Sequence, residues 1–178
     1  MKVFRKAFLM VLAGFLFAAS ADAQKKTTPK KTTAKKTVTA VVPPLEVRAA
    51  REKVTIQFDN LNLFVAVLGP IAQAIEDFEV SFRTKRPTPK AAEQNEANKQ
   101  KVIEAIRNWQ SVLSGLETEF RTKPDLKKYL PSIEGVTELA AQAEDSAIAG
   151  KFVLAKEPLR VAAQRLSDTL AVMPKTPV

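Results

Sequence analysis

The chain of 178 residues contains no cysteine and no histidine, and these two absences exclude several classes of chemistry. Without cysteine there is no disulfide, no thiolate nucleophile, no thioether attachment of haem and no lipid-bearing cysteine at the predicted cleavage site. Without histidine there is no Ser-His or Cys-His nucleophile pair, no imidazole metal ligand and no Glu-x-x-His pattern of di-iron bundles. We therefore expect no cofactor and no catalytic residue of these kinds.

Glycine and methionine are also scarce, and the carboxylates form no known site. The five glycines never cluster, so a glycine-rich phosphate loop is absent, and Met173 is the one methionine beyond the N-terminal apolar run. Acids at i,i+1 or i,i+2 do not share a helix face, so we expect most of them to be solvated. Among the neighbouring acids, Glu76 and Glu79 are three residues apart, so they are spaced to share a face and bind a divalent cation weakly, but no calcium-loop spacing supports such a site. The neighbouring acids are Glu76, Asp77 and Glu79, then Glu117 and Glu119, then Glu144 and Asp145.

The N-terminus has the three parts of a secretory signal peptide. Basic residues precede an uncharged apolar run at 7–19, which is shorter than the roughly 20 residues of a membrane-spanning helix. Ala21-Asp22-Ala23 then supplies a small-x-small cleavage pattern. We expect cleavage after residue 23, export to the periplasm or outside of a bacterium, and no transmembrane span afterwards. The alternatives are an uncleaved anchor or an ordinary buried helix.

Residues 24–44 have the composition of a disordered linker rich in lysine, threonine and proline. Such a segment cannot bury enough apolar surface to offset the entropy of ordering the chain. Two interpretations remain open: a solvated spacer, or a strap that contacts an anionic envelope surface such as lipid headgroups. The lysines that would make this contact are Lys25, Lys26, Lys30, Lys31, Lys35 and Lys36.

The positive charge of the chain lies mostly outside the predicted folded domain. Of the net +9, the signal peptide carries +2 and the linker +6, which leaves +1 for residues 45–178. A nucleic-acid-binding domain carries its basic residues on its own folded surface. We therefore expect no nucleic-acid partner.

From Leu45 onward the apolar residues recur with a helical period. Members of one series are seven residues apart: Val47, Val54, Leu61, Leu68, Ile75 and Phe82. This a/d-type seam, typical of coiled coils, predicts a long first helix to about residue 84, kinked at Gly69-Pro70. The segment VTIQFDNLNLFVAVL also alternates like two strands around a turn, but the continuous seven-residue register favours a helix.

Three further helices are expected after the first. Thr88 and Pro89 fit the N-cap and first position of a second helix that extends to about residue 121. A third helix at about 132–149 and a fourth at about 151–172 are separated by Gly150, which suits a tight helical hairpin. The predicted fold is an all-α antiparallel bundle of about four helices at 45–172, followed by a flexible tail at 173–178.

The first helix has a wider apolar surface than one core-facing stripe requires. Its surplus face, around Leu63, Val67 and Phe78, has two explanations. The helix could be central and covered by both the second helix and the third-fourth hairpin. Alternatively, this face contacts a protein partner or a second copy, because exposed apolar patches usually mark contacts.

Taken together, the sequence predicts an exported, non-enzymatic helical-bundle protein of the cell envelope. Its expected role is that of a binding or structural module on a basic strap. The alternative is a periplasmic carrier that holds a small ligand, lipid or metal between the bundle helices, where small exported bundles bind their ligands.

Overall fold

The computed structural model describes residues 43–84 and 87–175, which belong to one compact unit, Ala40–Val178. Within these residues the secondary structure consists of five α-helices and one 3₁₀ helix, and no strand occurs. The fold class is therefore all-α, as predicted. The predicted signal peptide and residues 24–42 of the predicted linker lie outside the described residues.

Helix α1 (Leu45–Thr84) is a single helix of 40 residues and is about 60 Å long at 1.5 Å per residue. It continues through Pro70, so the alternating segment before that proline is helical and the two-strand alternative is wrong. The buried residues follow the predicted register: Val47, Ala50, Val54, Leu61, Val65, Leu68, Ala72 and Ile75. Pro43, just before the helix, is also buried, so the folded part includes the end of the predicted linker.

Helix α2 (Pro89–Thr122) begins as the sequence predicts. Thr88 is the N-cap, its hydroxyl accepts a hydrogen bond from the backbone N–H of Ala91 at 3.4 Å, and Pro89 occupies the first helical position. The core-facing residues are Val102, Ile106, Leu113, Leu116 and Phe120. Before Val102 the helix buries only Asn95, which agrees with the polar composition of its first half.

The predicted third helix is divided in two, and this part of the prediction is wrong. After a 3₁₀ helix (Pro124–Tyr129) come α3 (Leu130–Ile133) and α4 (Val136–Ile148), separated at Glu134 and Gly135. Gly135 has a φ of 85°, a left-handed conformation that a right-handed helix cannot include. Residues 43–84 and 87–175 therefore contain five α-helices rather than about four.

Helix α5 (Phe152–Val172) follows α4 through the hairpin that the sequence predicts. Gly150 has a φ of 76°, which ends α4 in the left-handed conformation that favours glycine. The helix continues through Pro158, near its start. Met173, the first residue of the predicted tail, is only 2% exposed and belongs to the core.

Hydrogen bonds between distant residues show that α1 and α5 run in opposite directions. Near the start of α1, Arg51 donates to the carbonyls of Leu170 and Met173 at 2.6 and 2.8 Å. Near the other end, the backbone N–H of Val153 donates to the Glu76 carboxylate at 2.8 Å. The start of α1 therefore lies beside the end of α5.

The remaining helices also pack with opposite directions. Helix α5 packs against α1 and α4, α4 packs against α2, and α1 and α2 touch over a smaller area. The salt bridge from Lys53 to Glu119, at 2.8 Å, joins the start of α1 to the end of α2. Arg107 and Glu144, also at 2.8 Å, join the middle of α2 to the end of α4. One continuous core lies between these helices and includes Leu61, Ile106, Phe120, Phe152, Leu159 and Leu166.

Candidate interaction surface

The structure separates the three residues of the predicted partner face. Leu63 and Val67 are 66% and 56% exposed, although both are large apolar side chains. Phe78 is half-buried, and its ring centroid lies 6.3 Å from that of Phe82. It also lines a groove together with Ala92 of α2. Leu63 and Val67 therefore form the exposed part of the predicted face, and Phe78 is its half-buried part.

Leu63 and Val67 belong to a row of exposed apolar residues along α1, which we call the outer face. The other members are Leu45 and Ile56, which are 72% and 46% exposed. At 100° per residue, all four side chains lie within about 40° of one another around the helix. The buried residues of α1 point roughly 160° away from Leu63 by the same geometry. The outer face is thus on the side of α1 opposite the core.

The neighbouring helices pack on other sides of α1. The Phe64 ring contacts Trp109 of α2, with ring centroids 6.0 Å apart. On the α5 side, the Lys156 ammonium lies 3.3 Å from where a Cβ would stand on Gly69. A central α1, covered by both α2 and the α4–α5 hairpin, therefore does not account for the exposed Leu63 and Val67.

The charges along α1 are divided unevenly between its ends. Residues 45–53 contain three cations and two acids, for a net charge of +1. Residues 54–82 contain four acids and no lysine or arginine, for a net charge of −4. Asp59 and Asp77 are both exposed, and they lie close to the outer face. The part of α1 that carries the outer face is therefore weakly basic at its start and acidic over the remainder.

Glu117 forms a polar centre that the sequence did not reveal. It was expected to be solvated, but only 7% of it is exposed. It accepts hydrogen bonds from the Thr137 backbone N–H at 3.2 Å, from the Thr137 hydroxyl at 2.8 Å and from Arg121 at 2.9 Å. Burial raises the pKa of Glu117, but the bonds from Thr137 and the charge of Arg121 outweigh it, so the pKa lies below its ordinary value.

The position of Glu117 explains both its burial and its role. It comes four residues after Leu113 and three before Phe120, which places it on the core-facing side of α2. The N-cap of α4 is Gly135, which has no side chain to bind the first N–H groups of that helix. The Glu117 carboxylate, from another helix, binds one of those groups instead. The core-facing spacing was the signal in the sequence that marked Glu117 as an exception.

Two other acids expected to be solvated also join helices. Glu119 binds Lys53 of α1 at 2.8 Å and Lys123 at 2.6 Å, and its side chain is 15% exposed. Burial raises the pKa of Glu119, but the two lysines lower it by a larger amount, so the pKa lies below its ordinary value. The Glu144 side chain, at 13% exposure, is held by Arg107. These pairs are structural links between α1, α2 and α4.

The ends of α1 and α2 beyond the main core are joined by polar contacts. Buried apolar residues stop at Ile75 in α1 and begin at Val102 in α2. Between these limits, Glu79 accepts a hydrogen bond from the side-chain amide of the buried Asn95 at 2.8 Å. The Lys99 ammonium also binds Glu79, at 2.7 Å. Glu79 is thus a structural partner of α2 and does not form a cation site with Glu76.

Two concave features of the described residues are surface grooves. One, of about 430 Å³, is lined by α1 alone, including Leu45, Arg48 and Glu52. The other, of about 420 Å³, lies between Phe78 and Phe82 of α1 and the first turns of α2. No group of three or more acids that could hold a metal ion occurs at 43–84 or 87–175. None of the described helices has the length and apolarity needed to cross a membrane.

The six linker lysines predicted to contact anions precede residue 43 and so lie outside the described residues. The comparisons with known proteins give no relative from which a function could be transferred: no family model, curated protein or solved structure matches the chain.

Proposed function

We propose that the protein is an exported, non-enzymatic helical bundle of the cell envelope that acts as an interaction or structural module. The antiparallel bundle presents the outer face of α1 to a protein partner. The lysine-rich linker at 24–42 connects this bundle to anionic envelope surfaces. The N-terminal signal peptide directs the chain to the periplasm or the outside of the cell.

The exposed apolar row on α1 is the observation that carries the proposal. Solvent-exposed apolar residues are ordinary when they are scattered singly. Here four of them occupy one side of one helix, opposite the core, over the 23 residues from Leu45 to Val67. An aligned apolar face on a helix is the common feature of helix-to-helix recognition. A binding role follows from this alignment.

The alternative role as a carrier has no observation in its favour. A ligand held between bundle helices needs space among the core side chains. At that position the described chain places packed residues such as Leu61, Ile106 and Leu159, each with no measurable exposure. The two grooves lie on the surface. We therefore propose the interaction role alone.

Affinity capture tests the proposed role directly. Mature protein immobilised on a resin is expected to retain a specific component of a detergent-solubilised envelope extract, or a second, differently tagged copy of itself. Val67→Glu is expected to remove that binding, because it places a charge on the outer face one turn from Leu63. Val80→Glu is the matched control, since Val80 is 66% exposed on another side of the same helix. Equal retention by wild type and Val67→Glu would contradict the role of this face.

Vesicle binding tests the linker. Mature protein is expected to bind vesicles of anionic phospholipid and to dissociate as salt rises through the range that screens charges. A variant with all six linker lysines changed to glutamine keeps the linker length and is expected not to bind. Equal binding by both proteins would place the contact on the folded domain.

Export has its own test, because the signal peptide is independent of the interaction surface. Intact-mass measurement of protein from an exporting bacterial host is expected to show an N-terminus at Gln24. A full-length chain retained in the membrane would contradict cleavage and export.

A further inference from the structure

We propose that the partner of the outer face is the outer face of a second copy of this chain, packed in the antiparallel direction with Leu63 near the twofold axis. This inference rests on the proposed function, because it names the partner of the same surface. Three properties of α1 support it: the spacing of its exposed apolar residues, the division of its charge and its length.

The apolar residues are spaced to interdigitate with themselves. When two copies of α1 lie antiparallel with Leu63 opposite Leu63, Val67 stands four residues from the centre. On the facing helix, Leu63 stands at the centre and Ile56 stands seven residues from it. Val67 of each copy therefore lies between Leu63 and Ile56 of the other, about 6 Å along the axis from Leu63 and about 4.5 Å from Ile56. This is the ridge-into-groove arrangement of packed helices.

The charge pattern selects the antiparallel direction. With Leu63 at the centre, Arg48 and Asp77 lie about 15 residues from it on opposite sides, so each Arg48 faces Asp77 of the other copy. Arg51 and Lys53 are held by α5 and by Glu119, so Arg48 is the cation at this end of α1 that meets the acidic part of the other copy. Parallel packing would place like charges opposite one another, which is unfavourable.

The length of α1 is sufficient for a specific contact of modest strength. A helix about 60 Å long and about 10 Å wide offers a strip of about 600 Å². Two copies would bury about 1,200 Å² in total, at the lower end of the range for stable protein interfaces. We therefore expect a dimer that dissociates on dilution rather than a permanent one.

Sedimentation equilibrium of the mature protein tests the dimer. Wild type is expected to change from monomer to dimer as its concentration rises, and Val67→Glu is expected to remain a monomer with native helicity by circular dichroism. Val80→Glu is expected to dimerise like wild type. A wild type that stays monomeric at the highest soluble concentration would overturn the inference. A Val67→Glu variant that still dimerises, or that loses its helicity, would overturn it as well.

Single-cysteine variants test the direction in which the two copies of α1 pack, because the chain has no cysteine of its own. Leu63→Cys is expected to give a covalent dimer with a short thiol-specific cross-linker, since both copies meet at this position. Leu45→Cys is expected to give none, because the two positions would be about 54 Å apart. A covalent dimer from both variants would indicate parallel packing, and a dimer from neither would indicate another surface. Either result would overturn the inference.

The two levels of the proposal fail in different ways. If wild type is monomeric but captures an envelope component that Val67→Glu does not, the second copy is not the partner and the interaction role stands. If wild type is monomeric and also captures nothing through this face, both proposals fail.

Discussion

Replacement of Glu117 tests whether one buried carboxylate caps a helix from outside it. In Glu117→Ala, the Thr137 N–H and hydroxyl lose the acceptor that they reach at 3.2 and 2.8 Å. Loss of an N-cap costs about 0.5–2 kcal/mol, and an unsatisfied buried donor about 1–3 kcal/mol. These contributions overlap because the same groups are involved, so we expect a loss of about 2–3 kcal/mol in the free energy of unfolding.

The assay for this loss is urea and thermal unfolding followed by circular dichroism at 222 nm. For a domain of this size, a loss of about 2–3 kcal/mol lowers Tm by roughly 6–12 °C. Glu104→Gln is the control, because Glu104 is exposed on the same helix, and we expect a change within about 0.5 kcal/mol. An Ala variant as stable as wild type would refute the capping role.

A second substitution, Glu117→Gln, tests whether the negative charge of Glu117 stabilises the fold, because the effect of that charge on stability depends on pH. The folded-state pKa of Glu117 lies below its unfolded value, so its stabilising contribution is present above about pH 4.3 and disappears as the pH falls through the folded-state pKa. Glu117→Gln resembles the protonated carboxyl. We therefore expect it to be less stable than wild type at pH 7, by a difference that shrinks as the pH falls below about 4.3. A difference that stays constant over this range would show that the charge of Glu117 is not responsible.

The geometry also predicts the effects of three other substitutions and of one deletion on stability, which the same unfolding assay measures. Gly115→Ala is expected to stabilise the protein by about 0.5–1 kcal/mol, because Gly115 is inside α2 with no atom within 4 Å of an added Cβ. Gly135→Ala is expected to destabilise it by about 1–2 kcal/mol, because the φ of Gly135 is 85°. A stability change of the opposite sign at either glycine would contradict this reasoning. Arg51→Ala is expected to cost about 1–3 kcal/mol through the lost bonds to the last carbonyls of α5, and no loss would show that these bonds are dispensable. Deletion of 24–42 is expected to leave Tm nearly unchanged, and a large decrease would place part of the linker in the core.

Local signals in the sequence predicted several helix boundaries. Thr88 with Pro89, and Gly150 between two apolar periods, act within a few residues of the chain, so their effect can be predicted without the tertiary structure. The seven-residue register likewise predicted that α1 continues through Pro70. The strand alternative failed because alternation over a short segment does not outweigh a helical period that continues on both sides.

Features that depend on contacts between distant residues were not predicted. Gly135 divides the predicted third helix into α3 and α4. Arg165 of α5 lies beside Gly135, and its guanidinium donates a hydrogen bond to the Glu134 carbonyl. Glu117 is buried because Thr137, twenty residues away, supplies its hydrogen bonds. Periodicity shows which side chains of α1 are apolar, but only the packing of α2 and α5 shows that Leu63 remains uncovered. Sequence alone therefore left the central and partner-binding explanations open.

The composition of the outer face is not explained by helix formation. Valine and isoleucine lose side-chain freedom in a helix, and unbranched residues such as lysine or glutamine would suit a solvated position better. A solvated helix also gains from Glu–Lys pairs four residues apart, which are impossible from 54 to 82 because no cation occurs there. Ile56 and Val67 thus lower the intrinsic stability of an exposed helix and gain nothing from the core. Both departures are accounted for if this side of α1 is covered by a surface that supplies apolar contacts and, at its ends, the missing positive charge.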